Sequence, residues 1–159
     1  MRANASEEYG NWSDIWNFTL VPSVSIIVTQ DTMNFGTMTQ FETNDTTNNQ
    51  PAPFELENDG NTEADVKVNS TSLWQSESAQ LNTSYYQFKV DNSTEANSFD
   101  FLNSQTTWAN MSDFYKSTIA ILNHTNSNDL AEIDIMVEVA SDEPPGSKSA
   151  SLTFYAEES

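Results

Sequence analysis

Phe54-Glu55-Leu56-Glu57-Asn58-Asp59-Gly60-Asn61-Thr62-Glu63-Ala64-Asp65-Val66-Lys67-Val68 is the stretch that decides the fold class. Phe54 and Leu56 alternate with Glu55 and Glu57, and Val66 and Val68 alternate with Asp65 and Lys67. A period of two sends successive side chains to opposite faces of a pleated strand, so each run reads as a strand with one buried and one wet face. Asn58-Asp59-Gly60-Asn61 between them is turn chemistry, because Asp-Gly reaches the positive φ values of a type I′ turn at little cost. The stretch predicts a β-hairpin.

The same period recurs outward from there. Tyr86, Phe88 and Val90 alternate with polar residues, and Leu152 and Phe154 do so near the end of the chain. Ile133, Ile135, Val137 and Val139 alternate with Asp134, Met136 and Glu138, which are assigned to the wet face. Trp16, Phe18, Leu20, Val24, Ile26 and Val28 share one parity, interrupted by Pro22, and predict two extended segments hinged at the proline. The β-branched Thr118, Ile119 and Ile121 favour a strand over residues 114–122. Asp142-Glu143-Pro144-Pro145-Gly146 predicts a second hairpin loop. Residues 42–53 read as a polar loop, and residues 91–113 as an irregular region with a short helix. About seven or eight strands at this spacing make an all-β protein, an immunoglobulin-like or jelly-roll-type β-sandwich. The expected organisation is an N-terminal extended segment over residues 1–20 and a single sandwich domain over residues 21–159.

Aromatic residues make up 11% of the chain, more than a disordered segment of this polarity carries, so a packed core is expected. The net charge of −19, from 24 acids against five bases, removes nucleic acid from the candidate partners, since phosphate binding needs clustered Lys and Arg. The acids are spread along the chain: they form a hydrated coat or, alternatively, carry divalent cations between neighbouring subunits. No run of about 20 apolar residues is present, so no membrane span is expected. There are no cysteines, which excludes disulfides, thiol catalysis and Cys-based metal sites. The first residues, Met1 to Trp12, are polar and lack the apolar stretch of a signal peptide, so export implies a signal already removed.

Nine Asn-x-Ser/Thr triplets begin at Asn4, Asn11, Asn17, Asn44, Asn69, Asn82, Asn92, Asn110 and Asn123. The abundance of Ser and Thr gives about four by chance from composition alone. The twofold excess points to an extracellular, N-glycosylated chain; the other reading is a polar protein with accidental triplets.

Catalytic chemistry is sparse, and no enzyme is expected. His124 is the single histidine, lies inside a glycosylation triplet, and cannot by itself make a triad or an imidazole metal site. Four glycines leave no phosphate-binding loop. Glu57, Asp59 and Asn61, with Glu63, place oxygen donors at alternate positions as a calcium loop does, but without the 12-residue form, so a plain hairpin turn explains them better and Ca2+ is a weak candidate. Trp74 and Trp108 are the residues a carbohydrate-binding face would use, though core packing is the default reading for each.

Met33-Asn34-Phe35-Gly36, then Pro53-Phe54-Glu55-Leu56-Glu57-Asn58-Asp59-Gly60-Asn61, then Ala64-Asp65-Val66-Lys67-Val68 resembles a run found in secreted prokaryotic, especially archaeal, β-sandwich surface proteins. Pro144-Pro145-Gly146 followed by Ser149 to Phe154 resembles the end of such domains. Subunits of archaeal bundling pili and of TasA-type matrix fibres are of this general kind, and there a strand from one subunit completes the sheet of the next. The resemblance implies a homopolymer joined in this way. Trp12, Trp16, Phe18 and Leu20 share one parity and are the candidate inter-subunit strand; the other reading makes them the first strand of their own sandwich. The expected function is a structural subunit of an extracellular filament or layer. The alternative is a monomeric adhesion or carbohydrate-binding module.

Overall fold

The computed structural model describes residues 17–159. Nine strands form two antiparallel sheets: β1 Ile26–Gln30, β2 Thr43–Asp45, β3 Phe54–Asn58, β4 Ala64–Ser70, β5 Tyr86–Asn92, β6 Ala109–Asn110, β7 Lys116–Leu122, β8 Leu130–Glu138 and β9 Leu152–Glu158. One sheet runs β1-β3-β8-β5-β6, with β2 also on β8; the other is β7-β4-β9. The all-β sandwich is the expected class, with nine strands in place of seven or eight because two very short ones, β2 and β6, extend the larger sheet.

β8 is the spine. Along one side it pairs with β5 from Ala131 to Val137. Its other side is shared: β3 pairs with Leu130 to Ile133, and β2 takes over from Met136 to Glu138. Leu56, Phe88, Val90, Ile133, Ile135 and Val137 face inward from this sheet and meet Val66, Val68, Ile119 and Leu122 of the other. Phe54 and Phe154 touch across the sheets edge to face, with ring centroids 5.9 Å apart.

The strand readings at 54–58 and 64–68 stand, but the hairpin does not. β3 and β4 belong to different sheets, and the turn between them crosses the sandwich. Asn58 explains the crossing. Its side chain is buried, donates to the carbonyls of Thr62 and Leu122 at 3.0 Å, and accepts from the Gly60 amide at 3.0 Å. The side chain thus holds a corner where a hairpin ladder would otherwise form. The 142–146 loop also crosses between sheets, from β8 to β9. Residues 42–53 are not all loop, since β2 lies among them. Residues 91–113 contain no helix; the one helical turn among the described residues is Glu77–Ala79, a 3-10 turn capped by the Ser76 hydroxyl.

Asp134 departs from the alternation. It lies on the outer face of β8 but is only 2% exposed. Its carboxylate accepts from the Thr46 hydroxyl at 2.6 Å and meets the Lys89 ammonium at 3.1 Å. Lys89 also reaches Asp91 at 2.7 Å and lies 5.5 Å from the centre of the Trp108 ring. Burial works against the Lys89 charge, yet its hydrogen bonds to Asp91 and Asp134 hold its pKa above the ordinary lysine value.

Candidate assembly face

The two long sides of the sandwich differ. On the β5/β7 side the connection from β5 to β6 is laced to both sheets. The Gln105 carbonyl accepts from Val90 at 2.7 Å, the Gln105 amide donates to Thr118 at 2.9 Å, and the Asp100 amide donates to Ala120 at 2.9 Å. The edge of β7 is thereby covered, as a protected sheet edge should be.

The β1/β9 side is open among the described residues. The Thr71 amide donates to the Ser151 carbonyl and the Ser159 amide donates to the Glu63 carbonyl, each between residues directly opposite in the β4–β9 register. Hydrogen-bonded pairs in an antiparallel ladder alternate. Odd-numbered residues of β9 therefore face β4, and Leu152, Phe154, Ala156 and Glu158 turn their amides and carbonyls outward. None of these groups finds a backbone partner among the described residues. β1 pairs with β3 only. The Asn58 amide bonds to the Asp129 carbonyl, which turns Glu57 toward β1 and leaves Ile26 and Val28 facing away from the sheet by the same alternation.

A cleft lies between the sheets along this side. Its larger part holds about 1000 Å³, bordered by residues 31–38 and 143–150 over a floor that includes Phe54, Tyr86, Val137 and Leu152. A smaller part of about 280 Å³ lies among Val28, Phe54, Leu152 and Phe154. Asp31, Phe54, Ala150 and Leu152 line both parts, so they form one groove.

Of the candidate inter-subunit strand, Trp12 and Trp16 lie outside the described residues. Phe18 is 91% exposed and Leu20 is 72% exposed, and neither belongs to a strand. The first strand begins only at Ile26, so residues 17–20 are not a strand of their own sandwich. The chain is anchored just afterwards. Asn61 accepts from the Ser23 amide at 2.7 Å and donates to the Val21 carbonyl at 3.1 Å, while the Asn61 amide donates to the Ser23 carbonyl at 3.0 Å. A Cβ added to Gly60 would stand 2.4 Å from that Ser23 carbonyl, so only glycine allows this approach. Asn61 is therefore occupied in fixing the chain. Glu57 lies on β3 and Asp59 is exposed in the corner. Among the described residues no group of three or more His, Cys, Asp or Glu is arranged to hold a metal ion.

Asn4 and Asn11 also lie outside the described residues. Asn17, Asn82 and Asn92 are exposed; Asn44, Asn69, Asn110 and Asn123 are half-buried. The Asn69 amide group donates to the Asp113 carbonyl, and that of Asn110 to the Asn82 carbonyl. No triplet begins between Asn17 and Asn44 or after Asn123. Those two stretches supply β1, the 31–38 segment and β9, which border the open side.

Trp74 is core: it is buried and its indole donates to the Tyr85 carbonyl at 3.0 Å. Trp108 is half-buried beside Lys89. His124 is exposed in the loop after β7. Glu143 is buried, accepting from the amides of Gln75 and Ser76 and paired with Lys148, so it ties the crossing loop to the fold. The open edge of β9 was missed by sequence reasoning. Leu152 and Phe154 revealed a strand, but nothing in their pattern says that it pairs on one side only.

The chain matches no known family, no characterised protein and no solved structure. It is an all-β sandwich, and among the described residues no helix is long and apolar enough to cross a membrane.

Proposed function

We propose that the chain is an N-glycosylated structural subunit of an extracellular filament or layer, in which the N-terminal segment of one copy adds as a strand to the open side of the next. The observation that carries this reading is the edge of β9, with outward-facing amides and carbonyls beside a groove that includes Val28, Phe54, Leu152 and Phe154. An edge of this kind is a template for pairing, and natural monomers cover or blunt it. Strand addition supplies hydrogen bonds from the backbone and selectivity from alternate side chains, which matches the parity of Trp12, Trp16, Phe18 and Leu20. The excess of glycosylation triplets supports the extracellular setting, and their absence from the stretches bordering the open side leaves that side bare for contact. The resemblance to archaeal surface sandwiches supports the same assignment. The carbohydrate-binding alternative loses Trp74, which is committed to the core.

Negative-stain micrographs of the purified chain and of the Phe18→Ser/Leu20→Ser variant test the reading. Both positions are exposed, so the variant keeps its fold and its melting temperature. Filaments or sheets are expected from the native chain and discrete particles from the variant. Filaments of equal number and length from both would refute the role of this segment.

A further inference from the structure

Residues 31–38 border the groove without joining either sheet. Met33, Phe35 and Met38 pack against the core, yet the segment has no backbone–backbone hydrogen bond with the rest of the described chain. Its polar contacts are local: the Asn34 side chain accepts from the Gly36 amide at 2.8 Å, and the Gln30 side chain donates to the Thr32 carbonyl at 2.6 Å. Gly36, at φ +72, turns the chain between Phe35 and Met38. Facing it across the groove, residues 144–150 also have no backbone–backbone hydrogen bond among the described residues, and two of them are prolines without an amide to donate. A strap held by side chains alone, beside a strand edge with unmatched amides, shields part of the core without satisfying the ladder. Met33 and Phe35 stand two residues apart, the spacing of neighbours on one face of a strand.

We infer that the strap Asp31–Met38 is a placeholder: in the single chain it covers one wall of the groove that residues 12–20 of a second copy enter in the assembly, hydrogen-bonded to β9 at Leu152, Phe154 and Ala156. This rests on the proposed strand addition and names its acceptor. The incoming segment carries four apolar side chains on one parity against the strap's three, and it brings the backbone partners that the strap lacks. β9 is seven residues long, about 20 Å of ladder at the usual rise, and nine donor residues span it. Exchange replaces an unpaired cover by a paired one. The single chain is thereby protected from collapse onto unrelated edges, while assembly keeps a driving force.

Assembly followed by light scattering tests the assignment with two substitutions. Ala156→Pro removes an outward amide on an edge strand, where proline is tolerated by the fold. Its melting temperature is expected within a few degrees of native, with polymer mass reduced at least tenfold. Phe35→Ser weakens the strap, and the loss of roughly half a buried phenylalanine is expected to speed assembly about tenfold. Unchanged or slower assembly of Phe35→Ser overturns the placeholder role. Should Ala156→Pro fail to fold, benzoylphenylalanine at position 18 of the otherwise native chain supplies the readout. Cross-links between copies at residues 150–156 support the acceptor assignment, and cross-links elsewhere overturn it. The Phe18→Ser/Leu20→Ser variant separates the two layers. If it assembles normally, strand addition itself is wrong. If it fails to assemble while Ala156→Pro assembles normally, only the acceptor assignment is wrong.

Discussion

Thr46 serves two roles. It is the third residue of the Asn44 triplet, and it is fully buried, donating to Asp134 and accepting from the Ile135 amide at 3.0 Å. Thr46→Val removes both hydrogen bonds beside a buried carboxylate and is expected to cost about 2–3 kcal/mol. Asn44→Gln abolishes the triplet alone and is expected to be neutral; thermal melts of the two unglycosylated variants check the difference. The carboxylates set a pH dependence with two limbs. Burial pushes the Asp129 carboxyl up, with Glu95 adding to it, and burial does the same to Glu132 amid Asp134, Glu55 and Asp91. A carboxyl whose folded pKa is raised takes its proton earlier in the folded chain, so stability increases as pH falls from neutrality toward the unfolded value. Asp91 and Glu143 lie below their ordinary values: burial opposes ionisation at both, but Lys89 outweighs it at Asp91, and Lys148 with the Ser76 and Gln75 amides outweighs it at Glu143. Their stabilisation is complete above the unfolded pKa and is lost as pH falls through the lowered one. The melting temperature is therefore expected to rise from pH 7 to about pH 5 and to drop below about pH 4. A steady fall from pH 7 downward would contradict this balance.

At the scale of elements, alternation was legible and pairing was not. Most long strands announced themselves through period two, because one face is buried and the other is wet; β7, whose burial does not alternate, was read from its β-branched residues instead. The partner of each strand is a tertiary matter. Asp59-Gly60 carries the chemistry of a hairpin turn, yet the buried amide of Asn58 and the close approach of Ser23 to Gly60 make it a corner between sheets. Asp134 was assigned to solvent by parity, and it is buried because Thr46 and Lys89, remote in sequence, converge on it. The proposed donor segment rests on an aromatic parity ahead of Pro22, which the sequence shows. The acceptor edge was not legible there, since openness is a property of the sheet rather than of any strand. Gly60→Ala tests the corner. The added methyl must push the Ser23 carbonyl away, so a loss of about 1–3 kcal/mol is expected, with faster amide exchange at Ser23 and Asn61. A variant as stable as the native chain, with unchanged exchange, would remove the anchor that this account places at residues 21–23.

For the molecule as a whole, one side of the sandwich is sealed by the 93–108 connection and the other is bordered by two single-sided strands. The stretches without glycosylation triplets, residues 20–43 and 126–159, supply the strands and straps of the open side. A net charge of −19 on each copy opposes casual association, so a contact that joins copies must be specific and rich in backbone pairing. Residues 17–20 are exposed and lie ahead of the Asn61 anchor, so a chain starting at Val21 keeps every described strand and the open groove. The most direct measurement is the binding of a fluorescent peptide with the sequence of residues 10–21 to that truncated chain, followed by anisotropy. Saturable one-to-one binding in the micromolar range or tighter is expected, lost when Phe18 and Leu20 of the peptide are replaced by serine. No binding at several hundred micromolar, or equal binding of the serine peptide, would contradict strand addition as the way copies of this chain join.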